Sequence, residues 1–130
     1  TVIASTIAKA VYDFNPSLLV YGLSGSVSIT AAKQTGLRTA AEVFADRTYQ
    51  EDGSLTPRSL PNALIEHSEQ ALQQAIEMIL KGTVTSLTGK QLVLDADTIC
   101  LHGDVPHAVA FAKTISSRLK QEGIDIRTLS

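Results

Sequence analysis

Apolar positions along this chain switch repeatedly between a helical and a strand period. Val2, Ile3, Ile7 and Val11 fall on one stripe of a helix expected over residues 1–13, which the Asn15-Pro16 pair ends. The short apolar run Ser17-Leu18-Leu19-Val20-Tyr21-Gly22-Leu23 reads as a strand buried on both faces. Ser24-Gly25-Ser26 turns the chain into a short helix over 27–35 that Gly36 terminates, and residues 37–44 form a second strand. A polar stretch follows over 45–67, carrying Asp52-Gly53, Pro57 and Pro61. A loop of that length in a compact domain is usually functional or disordered. The clearest helix spans 68–81, where Ala71, Leu72, Ala75, Ile76, Ile79 and Leu80 make one face and Gly82 takes the C-cap. Residues 83–87 and 90–94 flank Thr88-Gly89 as a hairpin. Residues 97–101 read as another buried strand, ending in His102-Gly103-Asp104. Pro106 opens a helix with Ala108, Val109, Ala112, Ile115 and Leu119 inward; Gly123 stops it, and Ile124-Asp125-Ile126 is a last short strand.

Strands alternating with helices predict an α/β fold with a largely parallel sheet, either open or part of a barrel. In such folds ligands gather where strands end and helices begin. Three segments meet that description: 22–26, 42–47 and 102–104. The 130 residues suit a single domain. Eleven basic against thirteen acidic residues leave no surplus for a phosphate backbone, which argues against nucleic acid as the partner. No apolar run approaches the length of about 18 residues that crosses a membrane. Cys100 is the single cysteine and has no partner for an internal disulfide, which fits a cytoplasmic setting. The chain opens on Thr1 without a signal-peptide pattern, and it reads as a piece of a longer protein.

Candidate chemistry sits at the strand ends. His102 falls at a sheet rim, where an imidazole titrates near neutral pH. Gly103 admits close backbone approach, and Asp104 either caps the next helix or shares its N-terminus with an anion. The plain alternative makes His102 a satisfied rim residue and Asp104 only a cap. Glu42, Asp46 and Arg47 cluster where the second strand leaves the sheet, and Thr56-Pro57-Arg58-Ser59 brings a second arginine back to the same rim. Carboxylates there serve as general base or metal ligand, and arginines grip phosphate or carboxylate; the plain alternative is an ion pair of Asp46 with Arg47 or Arg58. The glycine turn at 22–26 lacks the lysine of a Walker A loop and has glycine on only one side of Ser24 where a nucleophile elbow needs both, so a tight strand-to-helix turn is the better reading. His67 reads as a cap-region residue and His107 as an exposed first-turn residue. With no histidines at i, i+4 spacing, no metal site is assigned. Alternation buries Cys100 in the sheet beside Ile99 and Leu101, against a role as nucleophile.

Four segments together resemble the LamB/YcsF family: Gly22-Leu23-Ser24-Gly25-Ser26, Glu42-Val43-Phe44-Ala45-Asp46-Arg47-Thr48-Tyr49, Asp52-Gly53-Ser54-Leu55-Thr56-Pro57-Arg58-Ser59, and Thr98-Ile99-Cys100-Leu101-His102-Gly103-Asp104. They occur in order over essentially the whole chain, and the run 42–59 is the specific part. The resemblance implies a distorted β/α barrel of the glycoside-hydrolase and deacetylase type, of which this chain is about the C-terminal half. The aspartate- and asparagine-rich first strand and the Gly-Phe-His-Ala-Gly type motif of the family's N-terminal part do not occur here.

The resemblance also implies ATP-dependent hydrolysis of the 5-oxoproline lactam to glutamate, with ADP and phosphate formed, Mg2+ on the holoenzyme, and two further oxoprolinase subunits as partners. On that reading Glu42, Asp46, His102 and Asp104 are the acid–base candidates, while Arg47, Arg58 and Gly103 bind substrate or phosphate. A half barrel leaves strand edges open, so association with the missing N-terminal half or with another copy is expected, and the piece alone is expected to be inactive. Two other classes stay open: a non-catalytic module for a small carboxylate, and a metal-dependent deacetylase-like hydrolase, which the lack of a His-x-x-x-His pair disfavours.

Overall fold

A computed structural model describes residues 1–103 and 108–129. The chain runs through α1 (Val2–Phe14), β1 (Leu19–Leu23), α2 (Val27–Thr35) and β2 (Arg38–Phe44). It continues through α3 (Ser68–Lys81), the hairpin strands β3 (Thr83–Thr85) and β4 (Gln91–Val93), β5 (Thr98–Cys100) and α4 (Ala108–Gln121). Strands β1, β2 and β5 form one parallel sheet in that order, so each new strand adds beside the last, as in a β/α barrel. Asp104 and His107 lie outside the described residues. No helix among the described residues is long and apolar enough to cross a membrane.

Local chemistry sets the joints. The Ser26 hydroxyl accepts from the Ile29 N–H at 3.4 Å and caps α2, so the 22–26 segment is a strand-to-helix turn. Ser24 ties that turn to the rest of the sheet: its N–H donates to Glu42 O at 2.9 Å and its Oγ accepts from the Asp95 N–H at 3.1 Å. Asp97 extends the β2–β5 ladder by accepting the Ala41 N–H on Oδ2 at 2.8 Å while its own N–H donates to Ala41 O at 2.9 Å.

Register sorts the sheet into two faces, because paired residues of neighbouring strands share a face and successive residues alternate. Val20, Val43, Ile99 and Leu101 face the helices. Val20 packs with Ala4, Ala8, Ala31 and Ala32 of α1 and α2; Ile99 and Leu101 pack with Ala71, Leu72 and Ala75 of α3 and with Phe111, Ile115 and Leu119 of α4. Val43 joins Tyr49, Met78 and Val84, which seats the hairpin on the same side. The opposite face carries Tyr21, Ala40, Glu42, Phe44, Thr98 and Cys100.

Several expected positions change. β1 is not buried on both faces, since Tyr21 is half exposed on the face away from the helices. Of the expected α1 stripe, Val2, Ile3 and Ile7 point outward and only Val11 packs inward, beside Ala4 and Ala8, which meet Ala31 and Ala32 of α2. In α3, Met78 is buried and Leu80 is exposed. In α4 the inward stripe is Phe111, Ile115 and Leu119, with Val109 and Ala112 outside. Residues 124–126 form no strand: Ile124 N–H closes the end of α4 on Leu119 O at 2.9 Å and its side chain packs against the α3–α4 core. Cys100 lies opposite Ile99 and Leu101, half-buried on the face of Glu42.

Candidate active site

The C-terminal ends of β2 and β5 lie side by side, with Phe44 paired to Cys100. Continuing each strand by two residues places Asp46 and His102 next to one another. The carboxylate takes the His102 ring at Nδ1, 2.8 Å from Oδ2 and 3.0 Å from Oδ1, and its Oδ2 also accepts the His102 backbone N–H at 3.2 Å. One side chain therefore fixes both the main chain and the ring of the histidine. A carboxylate is an acceptor, so the contact assigns the hydrogen to Nδ1 and leaves the Nε2 lone pair available. The Asp46 side chain is 5% exposed and that of His102 21%, so the carboxylate lies inside and the imidazole reaches the surface. The Phe44 ring stacks on the imidazole with centroids 5.9 Å apart and planes 28° off parallel.

The turn that carries Asp46 is held from behind. Gln74 of α3 donates its amide hydrogens to the carbonyls of Phe44 at 2.9 Å and Arg47 at 2.8 Å, with Ala45 O at 3.2 Å. On the other side the buried Tyr49 hydroxyl accepts the Phe44 N–H at 2.9 Å. Burial pushes the Tyr49 hydroxyl up to about 12, against the lowering effect of that hydrogen bond and of the Arg47 charge. Burial is also the first cause raising the Cys100 thiol, followed by the nearby charges of Glu42 and Asp46. Burial and the two neighbouring carboxylates thus both favour the protonated thiol at Cys100.

The other sequence candidates go separate ways. Glu42 is half-buried on the face of Phe44 and Cys100, and its side chain makes no hydrogen bond among the described residues. Gly103 is exposed beside His102. Arg47 is turned into its own loop, where Nε donates to Ala63 O at 3.2 Å and an Nη to Thr56 O at 2.6 Å, in a residue 7% exposed. Those two bonds hold the guanidinium to its own loop, and neither arginine pairs with Asp46, which is taken by His102. Arg58 is exposed and lines a groove of about 550 Å³ with Thr48, Asn62, Glu66, His67 and Gln70, which neither Asp46 nor His102 borders. Phe44 and Tyr49 fall inside the 42–49 segment but are given no role by it, and Gln74 lies outside all four segments; its one hint is that it interrupts the apolar face between Ala71, Ala75 and Met78.

Residues 1–130 match the model of the LamB/YcsF family. This chain belongs to the LamB/YcsF family. It is 52% identical over 127 residues to the A subunit of 5-oxoprolinase from Tolumonas auensis, covering 98% of this chain and 51% of that protein. It is 49% identical over 128 residues to the A subunit of 5-oxoprolinase from Bacillus subtilis, covering 98% and 50%. The crystal structure of the lactam utilization protein from Thermus thermophilus superposes with a TM-score of 0.86 at 37% identity, over 97% of this chain and 50% of that one. The chain spans about half the length of the curated relatives it matches. Its parallel sheet with one helix-covered face is part of a β/α barrel. The face away from the helices carries Glu42 and Cys100, with His102 just beyond the end of β5, and in a β/α barrel that face points to the interior.

An aspartate-oriented histidine is a general acid–base device. The carboxylate holds one tautomer and stabilises the imidazolium that forms when Nε2 takes a proton. Among the described residues no three His, Cys, Asp or Glu side chains gather closely enough to hold a metal ion.

Proposed function

We propose that this chain is part of a 5-oxoprolinase subunit, to which it supplies the general acid–base His102, oriented by Asp46. The observation that carries the proposal is the two-oxygen contact of Asp46 on His102 Nδ1 at adjacent strand ends. The names of the relatives supply the substrate class, the lactam of 5-oxoproline. As water adds to the lactam carbonyl carbon, Nε2 accepts its proton. As the ring C–N bond breaks, Nε2 returns that proton to the departing nitrogen, and the product is glutamate. Glu42 is the second carboxylate on the same face and a further acid–base candidate. Gly103 leaves room for substrate beside the imidazole.

The ATP and Mg2+ expected from the resemblance find no fitting cradle among the described residues. The 22–26 turn is closed by the Ser26 cap, Arg47 is spent on loop carbonyls, and Arg58 lies in another groove. We place nucleotide binding outside these residues, in the rest of the subunit or in its partners.

The test is glutamate release from 5-oxoproline and ATP by the intact protein assembled with its partner subunits. His102→Gln is expected to lower kcat by about 10²–10⁴-fold, and Asp46→Asn to lower it in the same direction. Full turnover by a folded His102→Gln protein removes the acid–base role. Unchanged kcat with a raised KM in the same variant converts the site into a small-carboxylate binding module.

A further inference from the structure

We infer that Gln74 is a positioning residue for the Asp46–His102 pair, acting through the turn 44–47; the inference rests on the acid–base reading of that pair. β2 ends at Phe44, so the carbonyls beyond it need partners other than a strand ladder. Gln74 meets that need for carbonyls on both sides of Asp46. Phe44 O at 2.9 Å and Arg47 O at 2.8 Å take its two amide hydrogens, and Ala45 O at 3.2 Å shares one of them. No other side-chain donor reaches these three carbonyls among the described residues. The donor itself is rigidly placed, because Ala71, Leu72, Ala75 and Met78 on either side of it are buried against the core.

The direction of Asp46 follows from the path of this turn, and the direction of the imidazole follows from Asp46. Phe44 connects the turn to the ring. Its carbonyl bonds Gln74, its N–H bonds Tyr49, and its ring lies against His102. Loosening Gln74 therefore releases the carboxylate and the stacked ring together. Supporting partners of this kind are worth about 10–100-fold in activity, and displacements of about 1 Å at a reacting group cost about as much.

Three variants separate positioning from bulk stability. Gln74→Leu removes the donor. Gln74→Glu keeps the shape but offers only acceptors when ionised, and it regains one O–H donor on protonation. His102→Gln identifies the His102 resonances by their loss. In the intact protein with its partner subunits, Gln74→Leu is expected to lower kcat about 10–100-fold with KM little changed. The Gln74→Glu deficit relative to wild type is expected to shrink as pH falls. In [15N]histidine-labelled protein, the His102 ring nitrogens are expected to show one tautomer in wild type and an averaged pair in Gln74→Leu. Wild-type kcat and unaltered His102 resonances in either folded variant overturn the inference. If Gln74→Leu does not fold, a Gln74→Glu deficit that is independent of pH overturns it equally. If the wild-type complex does not open 5-oxoproline, the lactam reading fails on its own, and the His102 tautomer still decides the role of Gln74.

Discussion

Tyr49 shows how the turn that carries Asp46 is held by a buried group outside the Asp46–His102 pair. Its hydroxyl is buried and accepts the Phe44 N–H, and burial moves its titration from the ordinary 10 up to about 12. A group whose pKa is raised on folding stabilises the fold fully below its unfolded value, and that stability is lost as pH climbs through the folded value. Urea unfolding of the intact protein is therefore expected to hold a Tyr49 contribution up to about pH 10 and to lose it between there and about pH 12. Tyr49→Phe flattens that alkaline limb and costs about 1–3 kcal/mol at neutral pH, because the Phe44 N–H is left without its partner. Wild-type and Tyr49→Phe curves that stay parallel from pH 8 to 12 would rule the idea out. At this scale the sequence names Asp46 and His102 as rim residues, but it does not pair them. They are 56 positions apart, and their meeting depends on the register that puts Phe44 opposite Cys100. Arg47 is a related case. Its side chain has the chemistry to hold an anion, and only the folded loop shows its donors committed to Thr56 and Ala63.

At the scale of elements, the strands, the hairpin and the four helices are legible because period and breakers agree, whereas the face a helix turns inward is not. α1 illustrates the difference. Its largest apolar residues look outward and its alanines look in, since α1 packs closely on α2 through Ala4, Ala8, Ala31 and Ala32. Periodicity reports where apolar residues sit, and the partner helix decides which of them fit. Joints are more legible than faces. Gly82 ends α3 at φ 63°, where a Cβ would also meet Leu94 O at 3.3 Å, and its own carbonyl accepts the Leu94 N–H at 2.9 Å. This single residue turns the chain from α3 into the hairpin that packs Val84 under Val43. Gly82→Ala is expected to cost about 1–2 kcal/mol in chemical denaturation, because an L side chain is disfavoured in the left-handed region. The cost falls on stability and leaves the Asp46–His102 contact in place, so kcat of the folded variant is expected to match wild type. A Gly82→Ala protein as stable as wild type would mean that the turn relaxes at no cost.

For the molecule as a whole, the decisive feature is that the sheet has helices on one face and a row of site residues on the other. Tyr21 is 51% exposed there, and outward residues of α1 add Val2 at 84%, Ile3 at 72% and Phe14 at 84%. Apolar surface on that scale, together with edges of β1 and β5 that no strand among the described residues pairs, is unusual for a chain that works alone. The relatives carry about as much chain again as these residues match, which is the material a barrel needs to pair the edges and roof the open face. The 130 residues produced alone are therefore expected to self-associate. Sedimentation velocity would show species larger than a monomer that grow with concentration. Ile3→Lys with Phe14→Lys, both at exposed positions, is expected to shift the distribution toward monomer without disturbing the Ala4–Ala8 contact with α2. If the isolated segment sediments as a monomer at all concentrations, the exposed apolar surface does not drive association. Conversely, self-association that survives the double lysine variant assigns the contact to the sheet edges and the open face, where His102 and Glu42 would be covered by the second copy.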